Sequence, residues 1–267
     1  MMSVLDRKLV RDCLRLAPQL AAVAVVMACG VAVLVMSWSM HRSLEATQHL
    51  YARESHFADL FVHLRRAPES VARGLAAIEG IAQLESRVVH DVTLDLRGTD
   101  GSRVPAVGRL ISLPAENTDE SLQLNRLHVL RGRLPDSGQA EEAVMAAGFA
   151  ETHGLLPGDH LVAILNGRRT QLKIVGIATS PEYVYTIGPS GPFPDDRSFG
   201  VLWMGRRGLA SAFDMADAFN DVVAVVTPGA SVREVCRTID RKLDRYGGLG
   251  RYGREFQTSL RYLTNEL

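Results

Sequence analysis

Between Arg15 and Arg42 the chain carries no Asp, Glu, Lys or Arg, and Leu20–Met36 reads LAAVAVVMACGVAVLVM. A helix rises about 1.5 Å per residue, so roughly 20 apolar residues cross the hydrocarbon core of a bilayer. A cleaved signal peptide is the competing reading. The apolar run is too long for one, the segment before it is also too long, and no A-x-A site follows. A transmembrane helix is therefore expected over 17–40, with Leu20, Val26, Gly30, Val35 and Trp38 in the span. Arg7, Lys8, Arg11 and Arg15 precede it, while Arg42 and Arg53 are the nearest basic residues after it. The positive-inside rule then keeps the N-terminus in the cytoplasm and the bulk outside, with Trp38 as an aromatic near the outer interface.

The remaining composition excludes more than it assigns. Thirty basic and thirty acidic residues cancel, so no global field argues for nucleic acid. On this topology Cys13 is cytoplasmic, Cys29 lies in the bilayer and Cys236 is alone outside, so no intramolecular disulfide is available.

Before the span, SVLDRKLVRDCLRL reads as an amphipathic helix (1–16). Ser3 and Asp6 have capping spacing, and Leu5, Leu9, Cys13 and Leu16 share a face. Leu5, Leu9, Arg11 and Arg15 are its candidate contacts with the inner leaflet or a cytoplasmic partner. After the span, 41–56 continues as a helical stalk. His49, His56 and His63, seven apart, would share a helical face, but metal-binding helical pairs use i,i+4 spacing.

An α/β segment follows. FADLFVHL (57–64) reads as a strand and PESVARGLAAIEG (68–80) as a helix with Val71, Leu75 and Ile78 inward, stopped by Gly80. In SRVVHDVTLDLRG, Val88, His90, Val92, Leu94 and Leu96 alternate with Arg87, Asp91, Thr93 and Asp95, a half-buried strand with its charges on the solvent side. GTDG turns it into VPAVGRLISLP. Further on, AEEAVMAAGFAETHG holds a strand and a helix closed by Gly154. HLVAIL-NG-RRTQLKIVGIA is a hairpin whose Asn166-Gly167 pair suits a type I′ turn. FGVLWM (199–204) and NDVVAVVTP (220–228) are strands. SVREVCRTIDRKLDRY is an amphipathic helix with a Ser231/Glu234 capping box and Val232, Val235, Cys236, Ile239, Leu243 and Tyr246 inward. REFQTSLRYLTNEL keeps a helical pattern to Leu267, so 258–267 reads as a helix leading toward a second span.

Catalytic signatures are missing from the sequence. GLGRYG (248–253) matches G-x-G-x-x-G but follows a helix C-terminus, where glycines serve as caps, instead of a strand. No P-loop, H-E-x-x-H, G-x-S-x-G or paired C-x-x-C occurs. Ser180, Ser190, Asp195 and Asp196 form no motif, and Asp214, Asp217 and Asp221 read as solvated or capping groups. The expected site inventory is accordingly no catalytic, cofactor or metal residue. The Pro/Gly-rich SPEYVYTIGPSGPFPDDRSF (180–199) reads as a connector. Tyr183 and Tyr185 would share one strand face, and with Pro189 and Phe193 they would make a rim for cargo or a partner.

This layout, with FADLFVHLRRAPESVARGLAAIEGIAQLESRVV, GIATSPEYVYTI, FGVLWM, AFNDV and YGGLGRYGREFQTSLRYLTNEL, resembles the permease subunits of MacB/FtsX-like ABC transporters over nearly the whole chain. The resemblance implies an α+β fold: one transmembrane helix, then a ferredoxin-like βαββαβ core (57–115 and 219–257) interrupted by a β-rich insert (116–218). It also implies a separate ATPase subunit on the cytoplasmic face, a second permease copy or paralogue, and an extracytoplasmic cargo such as a lipid, lipoprotein, peptide or drug. Two other readings remain open: a single-pass anchored binding or adaptor module, and, with no nucleophile motif behind it, an anchored hydrolase.

Overall fold

The computed structural model describes residues 4–97, 103–114, 123–136, 138–188, 191 and 193–254. The chain divides into two units, Met1–Leu50 and Tyr51–Leu267. The first is helical. Helix α1 runs unbroken over Val4–Glu54 with Pro18 inside it, so the expected amphipathic helix, span and stalk are one element. Its segment Leu16–Ser43 has mean hydropathy 2.6 and none of its most apolar window is buried. By length and composition it is sufficient to cross a bilayer. Val26, Val35 and Trp38 are exposed along it. The side chains of Leu5, Leu9, Arg11, Arg15 and Leu20 lie outside the described residues, as does the Ser3 cap.

The second unit is built on two sheets. The first sheet uses β1 (Leu60–Pro68), β2 (Ile81–Arg87), β10 (Ala218–Val226) and β11 (Gly248–Gly253) in the order β11-β1-β10-β2, and every neighbouring pair is antiparallel. Helix α2 (Glu69–Ala76) joins β1 to β2, and α5 (Val232–Leu243) joins β10 to β11. Both helices cover one face. Alternation along β1 and β10 sends Leu60, Val62, Leu64, Phe219, Val222 and Ala224 toward Leu75, Val235, Cys236 and Ile239. Cys236 is thus a core thiol, as its helical position implies.

The second sheet contains seven strands. They are β3 (Val89–Arg97), β4 (Arg103–Ser112), β5 (His128–Gly132), β6 (Glu142–Ala146), β7 (His160–Leu165), β8 (Arg168–Thr179) and β9 (Phe199–Met204). Their order is β5-β8-β6-β9-β4-β3-β7, and β7 also pairs with β8. The long strand β8 gives its first half to β7 and its second half to β6. Six strands therefore close on themselves, with β5 appended outside. Leu94, Leu110, Met145, Leu172, Ile174 and Leu202 fill the inside with Phe149 of α3 (Ala147–His153) and Leu209 of α4 (Arg206–Ala212). The alternate residues Ile111, Val144, Val201 and Trp203 form a separate cluster on the outer side.

Several expectations change. Strands β3 and β4, expected with the first sheet up to residue 115, pair into the second, so the change of sheet falls at Val88. The cause is a short break: Val88 donates its N–H to Ser112 Oγ at 2.9 Å, and the side chain of Asn220 takes over Val89. Strand β2 is not legible as alternation, because both its faces are half-covered. Helix α2 ends at Ala76, before Gly80, whose φ of 91° instead serves the turn into β2. The Ser231 side chain makes no cap bond; the Glu234 and Val235 N–H groups reach its carbonyl at 3.0 and 3.1 Å. GLGRYG is an edge strand, with Gly247 at φ 69° closing the preceding turn. The GTDG turn and the helix over 258–267 lie outside the described residues. Asn166 and Gly167, at φ 46° and 79°, make the expected hairpin turn.

Candidate functional site

The helix-free face of the first sheet carries the main polar constellation of the described residues. Strand periodicity puts Glu85 and Arg87 of β2, His63 of β1 and Asp221 of β10 on that face, since Leu84, Val62 and Val222 turn to the helices. Phe61 and Val223 sit among them and pack with Phe57, Ala58 and Leu124. The second sheet contributes two pieces. Ser180 caps a single 3₁₀ turn, Pro181–Tyr183, its Oγ accepting from the Glu182 N–H at 3.2 Å. Asn125, at φ 49°, is presented by the segment before β5.

Arg87 ties these pieces together. It donates to both oxygens of Glu182 at 2.6 and 3.1 Å, and to Asp221 Oδ1 through Nε at 2.7 Å. Asn125 donates to Glu182 Oε2 at 2.9 Å and accepts from the Ala58 N–H at 2.9 Å. The N–H groups of Asn125 and Arg126 reach the carbonyls of His56 and Ser55 at 3.1 and 2.8 Å. The residues directly after α1 are thus held by the same segment that holds Glu182. His63 Nδ1 faces Asp221 Oδ2.

Burial sets the electrostatics. Asp221 is fully buried and Arg87 is 4% exposed. Burial pushes the Asp221 carboxyl up, but Arg87 and then His63 overrule it and hold it at about 2. Burial works against the Arg87 charge, and Asp221 and Glu182 together hold it well above its ordinary value. For His63, burial lowers the pKa, and Asp221 raises it to a net upward shift. Glu85 is shifted upward, chiefly by burial, with Arg87 opposing. Guanidinium and carboxylates here satisfy one another. That arrangement fixes geometry and offers no activated nucleophile.

Beside the network lies a cleft of about 300 Å³. Glu85 and Glu182 line it together with Arg87 and Arg126, Gln123 and Ser180 add neutral polar groups, and Leu113, Leu127 and Trp203 supply apolar walls.

Sequence reasoning reached part of this. Arg87 and Asp221, expected on solvated faces, are both buried, because the second face of the sheet is covered by residues distant in sequence. Glu182 was missed; its signal is the Ser-Pro-Glu order, a hydroxyl cap before a proline-started turn. His56, at φ 48°, follows the end of α1, and His63 lies on a strand, so these histidines do not share a helical face. The strand expected for Tyr183 and Tyr185 is absent: Tyr183 ends the 3₁₀ turn and Tyr185 lies in the bend after it. Tyr183 packs edge-on to Trp203, with centroids 6.3 Å apart. The 180–199 segment is closed at its base: Asp195 N–H bonds the Thr186 carbonyl at 3.0 Å, and Ile187 bridges to Pro194. Phe193 at its tip is 71% exposed. Pro189 lies outside the described residues.

No protein-family model matches the chain, and no curated protein does. Solved structures do. The periplasmic region of MacB from Actinobacillus actinomycetemcomitans is similar, at 11% identity and TM-score 0.46, over 80% of this chain and 95% of that one. The extracellular domain of the noncanonic ABC-type transporter YknZ from Gram-positive bacteria is similar at 12% identity and TM-score 0.43, over 73% and 98%. A domain of a putative permease protein from Porphyromonas gingivalis is similar at 12% and 0.39, over 72% and 84%.

Proposed function

We propose that this chain is the N-terminal part of an ABC transporter permease subunit. It transmits movement driven by a separate ATPase from α1 to an extracytoplasmic domain that exports or extracts a substrate. One observation carries the reading: the residues that leave α1, Ser55–Ala58, are bonded to Asn125 and Arg126, and Asn125 also holds Glu182, which holds Arg87. Displacement of that exit pulls on both sheets through one buried network. The rest follows from the sequence resemblance: N-terminus in the cytoplasm, Leu5, Leu9, Arg11 and Arg15 against the ATPase, and a second permease copy alongside. In this reading the first sheet, with its two β-α-β units (60–87 and 218–253), is the ferredoxin-like core, and 89–204 is the insert. Tyr185, Pro189 and Phe193 belong to the cargo or partner rim.

Photo-crosslinking from Leu9 in intact membranes tests the proposal. The expected product joins the chain to an ATPase of the ABC class. A crosslink to lipid alone, with cargo still bound by the extracytoplasmic domain, overturns it in favour of an anchored adaptor.

A further inference from the structure

We propose that residues 123–127 form a movable strap, one wall of the cleft, which opens the cleft when the exit of α1 shifts. The coupling holds whatever moves that exit, so it does not rest on the permease reading. All five strap residues line the cleft, and none belongs to a helix or strand. The facing wall is fixed. Ile111 of β4 pairs with Trp203 of β9 in the second sheet, and the Leu113 N–H bonds the Met204 carbonyl at 2.8 Å. A short segment without a ladder opens more readily than the strands beside it.

The strap is tied more heavily to the exit and the first sheet than to the wall it faces. The Asn125 and Arg126 N–H groups bond the His56 and Ser55 carbonyls, and Asn125 Oδ1 accepts from the Ala58 N–H. Leu124 is buried in one cluster with Phe57, Ala58 and Phe61, and its N–H bonds Glu85 of β2. Toward the second sheet there are two ties. Asn125 Nδ2 donates to Glu182 Oε2 at 2.9 Å, and Leu127 packs, partly buried, against the cluster that contains Trp203. Leu127 then leads directly into β5, which serves as the hinge. When the exit shifts, the strap follows it, the Asn125–Glu182 bond gives way, and Trp203, 4% exposed in the closed form, is uncovered. By linkage, a group wedged into the open cleft shifts the exit in return.

The chain contains two tryptophans, Trp38 and Trp203, so Trp38→Phe makes the cleft wall the sole indole reporter. Acrylamide quenching of Trp203 is measured on the full chain in detergent micelles, with amide hydrogen exchange followed by mass spectrometry on the same samples. Asn125→Asp keeps the acceptor for Ala58 and turns the Glu182 contact repulsive; quenching is expected to rise at least twofold. His56 sits at φ 48° outside the cleft lining, where a β-branched residue is strongly disfavoured. His56→Val therefore displaces the exit without touching the strap, and quenching is again expected to rise at least twofold. Protection of the β9 peptide at its wild-type level certifies a folded protein in each case. Val235→Ala, on the helix-covered side of the first sheet, loosens the domain elsewhere and is expected to leave quenching unchanged. The proposal is overturned if Asn125→Asp leaves quenching unchanged, if His56→Val speeds exchange over 55–64 without raising quenching, or if Val235→Ala raises it as much.

Discussion

Replacing Arg87 by Met removes the cation that joins the two sheets while keeping a side chain of similar length. Arg87 is 4% exposed and pairs with two buried carboxylates, Glu182 and Asp221. Breaking a buried pair by removing one partner costs about 3–5 kcal/mol, because the abandoned charge stays buried. The Asp221 share can be sized separately. Its carboxyl is held at about 2 against an ordinary 3.8, and at 1.36 kcal/mol per pH unit this is on the order of 2–3 kcal/mol. A depressed carboxylate pKa stabilises above the unfolded value, and that stability is lost as pH falls through about 2. In the variant, burial is left unopposed by the guanidinium, the folded-state Asp221 value rises, and its protonation restores stability. The loss is therefore largest near neutrality and shrinks toward pH 4. Urea unfolding of the full chain, followed by Trp203 emission in the Trp38→Phe background, measures it. Arg87→Met with Glu182→Leu and Asp221→Leu removes all three charges and should return most of the loss. A cost below about 1 kcal/mol, or one independent of pH between 7 and 4, refutes the reasoning.

Three further outcomes are expected. His63 has a raised pKa, so its pairing with Asp221 stabilises fully below the unfolded value of 6.5 and is lost as pH rises through the folded value; the stability gap between wild type and His63→Gln should narrow from pH 5.5 to 8.5. Gly176→Ala places a methyl 2.4 Å from the Arg133 carbonyl oxygen, so a thermal melt should show a loss of about 1–3 kcal/mol or a failure to fold. At Gly167 a methyl meets nothing within 4 Å, so Gly167→Ala should cost only the left-handed backbone penalty, about 1–2 kcal/mol by the same melt.

Local patterns with one buried face were legible in the sequence. The β7–β8 hairpin is spelled by Asn166-Gly167, and α5 by the spacing of Val235, Ile239 and Leu243. Pairing between distant segments was not. Nothing near Arg87 in sequence says that Asp221 and Glu182, 134 and 95 residues away, will cover it. Alternation reads one covered face as burial and the other as solvent, so a strand covered on both faces misplaces its charges. The change of sheet at Val88 was hidden for a related reason: β2 and β3 run on as one extended segment, and only their partners differ.

The central physical claim is that one buried network makes the two sheets a single lever. Spin labels at Arg237 on α5 and His160 on β7, in a chain with its three native cysteines replaced by serine or alanine, report the distance between the sheets by pulsed dipolar spectroscopy. The expected result is one narrow distance distribution in the otherwise wild-type chain, broadened by Glu182→Gln, which removes the charge but keeps the shape. A broad or two-peaked distribution before that substitution, or a narrow one unchanged by it, contradicts the claim.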